Sequence, residues 1–255
     1  MTKTDSQPAL KVLAVVLTAA LLSAPEAFAH ARTYVFSQEY QTLPQGTFEL
    51  ENHTTLKVPR DEHSNVNTWT FQNELEYGVT DHLNIAHYEV WERQNKRNDD
   101  DTTKYAGFFW EAKYRIGERG KYWVDPLLYV EYKYDPRTRF TGASQTLESK
   151  IVLSKDLGDR WNVVYNHVLE SKFGHKGRTD HKFTSGLNYE FADGLHLGLE
   201  FKGDYWRAGS NKNRLALGPT LAWENRYFWM AWGAAFGVNR HADDYETKLS
   251  VGVPF

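Results

Sequence analysis

The stretch Tyr245 to Phe255 reads Tyr-Glu-Thr-Lys-Leu-Ser-Val-Gly-Val-Pro-Phe, and it constrains the fold more than any other. Strand side chains alternate with period two. Tyr245, Thr247, Leu249, Val251, Val253 and Phe255 therefore share one side, and Glu246, Lys248, Ser250 and Gly252 share the other. One side suits lipid and the other suits water. The same two-residue grammar recurs from Gly46 onward, as in Phe48 and Leu50 against Glu49 and Glu51, or Leu195, Leu197, Leu199 and Phe201 against His196, Glu200 and Lys202. It predicts about twelve strands, each long enough to cross a bilayer at a tilt.

The connections between these stretches sort into two kinds. Those after the second, fourth, sixth, eighth and tenth strands are short, and those after the odd-numbered strands are longer and more charged. Short periplasmic turns and long outer loops are the habit of membrane barrels, whereas a soluble sandwich has no reason to sort its connections. In lipid every backbone N–H and C=O must find a partner, so such strands have to close on themselves. The expectation is an all-β, closed, antiparallel up-and-down transmembrane β-barrel over residues 47–255.

The N-terminus agrees with export. Lys3 and Lys11 precede an apolar run from Val12 to Leu22, and Ala27-Phe28-Ala29 supplies a small-x-small cleavage pattern. Residues 1–29 are read as a removed signal peptide, with a cut after Ala31 as the alternative. Residues 30–46 lack sustained alternation and are read as a periplasmic lead-in or an inner plug.

Composition narrows the rest. The chain has no Cys, which excludes a lipoprotein anchor, disulfides and thiolate chemistry. A formal net charge of -3 argues against nucleic acid as a partner. Low mean hydropathy beside 15% aromatic residues does not fit a helical membrane protein, but a barrel hides its apolar residues at alternate positions. Aromatics gather where strands meet the short turns, at Tyr77, Tyr122, Trp123, Trp161, Tyr189, Phe191, Trp223, Tyr227, Phe228 and Phe255, as an interfacial girdle would.

Two places resist the pattern. In the third strand Leu83 and Ile85 share parity with His87 and Glu89, and a bulge near Ala86 is expected to restore the alternation. Strands ten and eleven turn small residues inward, which reads as lumen space in preference to close packing against a plug.

The inward side carries the candidate functional residues. The expected lumen lining is Glu49, Glu51, Glu74, Glu76, Glu111, Lys113, Arg115, Glu131, Lys133, Glu148, Lys150, Glu170, Lys182, Glu190, Glu200, Lys202, Glu246 and Lys248. Opposite charges stand two apart within single strands, as in Glu111/Lys113, Glu131/Lys133, Glu148/Lys150, Glu200/Lys202 and Glu246/Lys248. Such a wall lines a narrow polar channel with a screened field, or seals the barrel with ion pairs. Carboxylates at least as numerous as cations argue against strong anion uptake. No His-x-Ser pair supports a barrel phospholipase. A rim site built from Asp99, Asp100, Asp180, His181, His241, Asp243 and Asp244 would use residues common in solvated loops. No catalytic residue, metal ligand or cofactor is assigned.

The final alternating strand with its terminal Phe resembles the last strand of bacterial outer-membrane β-barrels. That likeness implies recognition of Tyr245 to Phe255 by the outer-membrane assembly machinery, with membrane lipid and lipopolysaccharide as surroundings. The stretches Phe48-Glu49-Leu50-Glu51, Glu74 to Leu83 and Leu187-Asn188-Tyr189-Glu190-Phe191 resemble uncharacterised porin-like proteins of proteobacteria, some loosely grouped with aromatic-degradation gene clusters. The resemblance implies the fold, an outer-membrane location and, more distantly, passage of small solutes. The expected function is a narrow channel, with a non-conducting structural or surface-interaction barrel as the alternative.

Overall fold

A computed structural model describes residues 32–60, 66–95, 102–138, 145–173, 177–207 and 213–255. The expected signal peptide (1–29), residues 30–31 of the lead-in or plug segment, and Asp99 and Asp100 of the rim set lie outside the described residues. Twelve strands follow in order: β1 (Phe48–Val58), β2 (Asn67–Thr80), β3 (Leu83–Asn95), β4 (Thr103–Arg115), β5 (Asp125–Tyr134), β6 (Gln145–Leu157), β7 (Trp161–Phe173), β8 (Arg178–Ala192), β9 (Leu195–Arg207), β10 (Leu215–Glu224), β11 (Trp229–Gly237) and β12 (Tyr245–Pro254). Each pairs antiparallel with the next, and β12 closes on β1 with Leu50 opposite Val253 and Lys57 opposite Glu246. Closure leaves no sheet edge unpaired.

The alternation decides which way each side chain faces. Leu128 and Leu197 are 46% and 49% exposed on the outer surface, while Glu131 and Glu200 are 5% and 1% exposed. An apolar coat with ionic residues inside is the inverse of a soluble domain, and it suits a hydrocarbon surround.

Most connections obey the expected sorting, with residues 81–82, 158–160, 193–194 and 225–228 at one end of the barrel and 59–66, 135–144 and 238–244 at the other. Two do not. The β7–β8 connection spans only 174–177, and the β4–β5 connection spans 116–124 because β5 starts only at Asp125. The cause is local: Gly117 and Gly120 take positive φ, and the Asp125 carboxylate accepts the Gly120 N–H at 2.8 Å. This turn leaves Trp123 84% exposed beside Tyr122.

In β3 the expected bulge at Ala86 is absent. Pairing with β2 and β4 runs without a break from Ile85 to Glu89, and the register with β4 shifts instead between Val90 and Trp91. Asn84, Ala86, Tyr88 and Val90 face inward and are buried. His87 and Glu89 therefore share the outward face with Ile85, where they satisfy each other at 3.0 Å and the His87 ring packs on Trp110. A polar residue on a lipid-facing strand is tolerable once paired, and that is why parity alone misread the strand.

Residues 32–43 run inside the barrel, and Pro44 to Gly46 are exposed at its short-turn end. Tyr34, Val35, Tyr40 and Leu43 are buried, and Tyr34 and Tyr40 cluster with Leu127, Tyr129, Val152 and Val164 of the wall. Room for this segment comes from small wall residues. A Cβ at Gly186 would stand 2.4 Å from the Tyr34 ring, and one at Gly233 would stand 3.1 Å from Val35. Ala222 and Ala231 form a buried cluster with Val35 and Trp229. This corrects the expectation of lumen space along β10 and β11: toward the short turns those residues are small because something packs on them. Trp229 itself is inward and buried.

Candidate functional site

The interior divides along the barrel axis. At the short-turn end the walls of β1, β2 and β4 bring Glu49, Glu51, Glu74, Glu76 and Glu111 together, all buried. Lys113, also buried, reaches Glu76 at 2.6 Å and Glu111 at 3.5 Å. From the inner segment Arg32 bridges Glu51 at 3.0 Å and Glu74 at 3.5 Å. His53 lies between Glu74 (3.0 Å) and the Ser250 hydroxyl (2.8 Å), and the Trp229 indole N–H donates to Glu49 at 3.1 Å. Glu51, His53 and Glu74 present ligand atoms within 4.8 Å of one another, as do Glu49, Glu51 and Glu76. Arg32 and Lys113 already supply positive charge to these carboxylates, so a metal would have to compete with them.

The middle of the barrel grips the inner segment by its backbone. The Glu200 carboxylate accepts N–H groups from Val35 (2.6 Å), Phe36 (3.0 Å) and Ser37 (2.7 Å). Successive N–H groups pointing at one anion form a nest, and charged acceptors make the stronger hydrogen bonds. Asn166 accepts the Gln38 N–H at 2.6 Å and donates to the Gln38 carbonyl at 3.0 Å. Tyr34 donates to the Asn162 carbonyl at 2.7 Å, Tyr40 to the Gly117 carbonyl at 2.5 Å, and Asn188 to the Thr33 carbonyl at 3.1 Å. Thr33 caps Glu39 through its hydroxyl and its N–H. Burial pushes the Glu39 carboxyl up to about 7 against those hydrogen bonds.

Toward the long connections the charges are wetter. Lys133 pairs with Glu131 (2.7 Å) and Glu148 (2.8 Å), Lys150 with Glu148 (2.9 Å), Lys182 with Glu170 (2.6 Å) and Lys202 with Glu246 (2.7 Å). Of the eighteen residues named from sequence, Glu49, Glu51, Glu74, Glu76, Glu111, Lys113, Glu131, Glu148, Glu170 and Glu200 are buried, and Arg115, Lys133, Lys150, Lys182, Glu190, Lys202, Glu246 and Lys248 are half-buried. Glu200 and Lys202 do not pair, since Glu200 holds the segment and Lys202 turns to Glu246. Glu246 and Lys248 do not pair either. Arg115 turns to Glu118 in the short-turn connection, at 3.5 Å, and Glu190 accepts the Gly194 N–H in the next turn.

The described members of the rim set do not converge. Asp243 takes Lys57 and Asp244 takes Arg60, Asp180 takes Arg178, and His181 packs against His167 on the outer face.

Comparison with known proteins places this architecture. The chain belongs to DUF6662, a family of unknown function, whose profile matches residues 26–251. No curated protein matches it in sequence. Among solved structures, an outer membrane channel from Pseudomonas putida F1 is similar at 14% identity and TM-score 0.63, covering 87% of this chain and 100% of that one. The KdgM porin in complex with disordered oligogalacturonate is similar at 10% identity and TM-score 0.52, covering 81% and 98%. The translocator domain of the autotransporter NalP from Neisseria meningitidis is similar at 11% identity and TM-score 0.52, covering 97% and 98%. The DUF6662 chain shares their fold, and its closed barrel lies in the bacterial outer membrane with lipid around it.

Proposed function

We propose that this barrel is a narrow channel for passive transport of small solutes across the outer membrane. The observation that carries the reading is the string of cavities along its interior. A cavity of 430 Å³ toward the long connections and one of 150 Å³ at mid-barrel share Val35, Phe36, Glu148, Lys150 and Lys248 in their walls. A third, of 590 Å³, lies at the short-turn end. Ser37 and Gln38 face the middle cavity while Thr33 and Glu39 face the last one, so the inner segment forms the constriction. Both signs of charge along the path screen the field and let small solutes compete for ion pairs.

In this reading residues 1–29 are the export signal, 30–46 the plug, and Tyr245 to Phe255 the strand that the assembly machinery recognises, with lipopolysaccharide around the outer rim. The eighteen ionic residues line the passage, and no chemistry is assigned to them. The channel and porin among the similar structures support the same direction.

The buried charge cluster around Lys113 favours a second reading, a barrel sealed by its ion pairs. Single-channel recording of refolded protein in planar bilayers separates the two. The channel reading expects small discrete current steps that grow when residues 30–46 are deleted. No steps from either form would leave the sealed barrel.

A further inference from the structure

Six cationic side chains line the cavity toward the long connections, and five of them hold a carboxylate. Lys57 pairs with Asp243 at 2.9 Å, Lys150 with Glu148 at 2.9 Å, Lys182 with Glu170 at 2.6 Å, Lys202 with Glu246 at 2.7 Å and Arg214 with Asp204 at 2.9 Å. The sixth, Lys248, has no ion pair with any described residue. Register explains this. On β12 its cross-strand neighbours are Thr55 of β1 and Gly233 of β11, one neutral and one without a side chain. Glu246, two residues away on the same face, is taken by Lys202. Lys248 lines both the 430 Å³ cavity and the mid-barrel one, so it stands where the two meet.

From this we infer that Lys248 is the anchor of a binding site for a small organic monocarboxylate, seated in the 430 Å³ cavity. A half-buried ammonium with no carboxylate in contact has lost part of its hydration with only the more distant Glu51 and Glu74 to offset it, and an entering carboxylate supplies a close partner. One unmatched cation sets the charge of the ligand. A second carboxylate on the same molecule would meet Glu148 and Glu246 in the wall. A phosphate would ask for a guanidinium fork, and Arg214 is engaged by Asp204. The cavity has the volume of a small-molecule pocket. Val35, Phe36, Ala216 and Ala235 in its wall suit a compact apolar or ring-shaped body.

This also revises the argument against anions drawn from residue counts. The carboxylate excess belongs to the short-turn end, around Glu49, Glu51, Glu74 and Glu76, while the outer cavity carries more cations than carboxylates. A total over the lumen hides that difference.

The inference rests on the channel reading only for transport; the binding step does not need conduction. Isothermal titration of the full-length mature barrel in detergent micelles tests it directly, with benzoate as probe, benzamide as its neutral isostere and phthalate as the dianion. Benzoate is expected to bind, with benzamide and phthalate each weaker by about tenfold. Lys248→Gln should weaken benzoate by about tenfold and Lys248→Arg should restore it to within about threefold, folding being checked by the heat-dependent shift in gel mobility. Equal binding of benzoate and benzamide, indifference to Lys248→Gln, or no benzoate heat with the unaltered chain would each overturn the site. Benzoate binding without current steps would sink the channel and leave the site standing.

Discussion

Two regions of the interior, the β1, β2 and β4 wall at the short-turn end and the wall toward the long connections, are built from the same residue types and behave as different materials. At the short-turn end Lys113 and Glu76 are each 1% exposed. At the other end Lys57 is 39% exposed and its partner Asp243 27%. Coulomb attraction at a given distance grows as the effective dielectric falls, and so does the cost of leaving either partner alone. The dry end uses charge to fix the wall and the inner segment in one arrangement. The wet end keeps charge exchangeable, which a solute path requires. Position relative to water, and not residue identity, decides which role a glutamate takes.

The largest effect that would sharpen this contrast is expected from Lys113→Met. It strands Glu76 and Glu111 without their cation and should cost about 3–5 kcal/mol. The urea midpoint of barrels refolded into vesicles should drop accordingly; an unchanged midpoint would show that the inner end is hydrated after all. Next comes Glu200→Gln, which removes the charge from an acceptor of three N–H groups and should weaken docking of the inner segment by about 2 kcal/mol. Because the chain has no native Cys, a single Ser37→Cys reporter gives the readout: its maleimide labelling should accelerate by roughly thirtyfold. Equal labelling with and without the Glu200 change would break the link between that carboxylate and the segment.

A smaller effect is expected from pH. Glu39 has its folded pKa raised to about 7, so the docked state binds a proton more tightly than the released one. Its contribution to docking is complete below the ordinary carboxylate range and is lost as pH rises through about 7. Labelling of the Ser37→Cys reporter should therefore be faster at pH 8 than at pH 5 after correction for thiol ionisation, and Glu39→Gln should flatten the difference. Smallest of all is Lys57→Met, a half-exposed pair expected to contribute under about 1 kcal/mol. If it lowered the urea midpoint as far as Lys113→Met, the division between dry and wet ends would fail.

The barrel was legible in the sequence because lipid and water impose the same rule on every strand. Period two, an aromatic edge and sorted connections all report the solvent on each side. Where the protein solves a problem locally, the rule loses force. His87 and Glu89 compensate each other on the outer face and so break the parity of β3, and Trp229 is hidden because β11 begins with it. The inner segment was least readable: the contacts that hold its middle join backbone groups to side chains more than a hundred residues away, as with Val35 and Glu200. Inward Asn162, Asn166 and Asn188 were the available signal, since uncharged amides on a charged wall suit peptide groups as partners. That Lys248 has no carboxylate opposite it was unreadable for a related reason. It depends on which strands flank β12, and closure onto β1 sets that.

The wall takes hold of residues 33–38 mostly at peptide links: three amides on Glu200, an amide and a carbonyl on Asn166, and a carbonyl on Asn188. A seat that reads main chain is blind to spelling wherever the side chain makes no hydrogen bond, and selective only where glycines and alanines leave room for a ring, as at Tyr34 beside Gly186. One change in such a seat therefore loosens the whole bend, whereas one change in the occupant is felt only where its side chain packs.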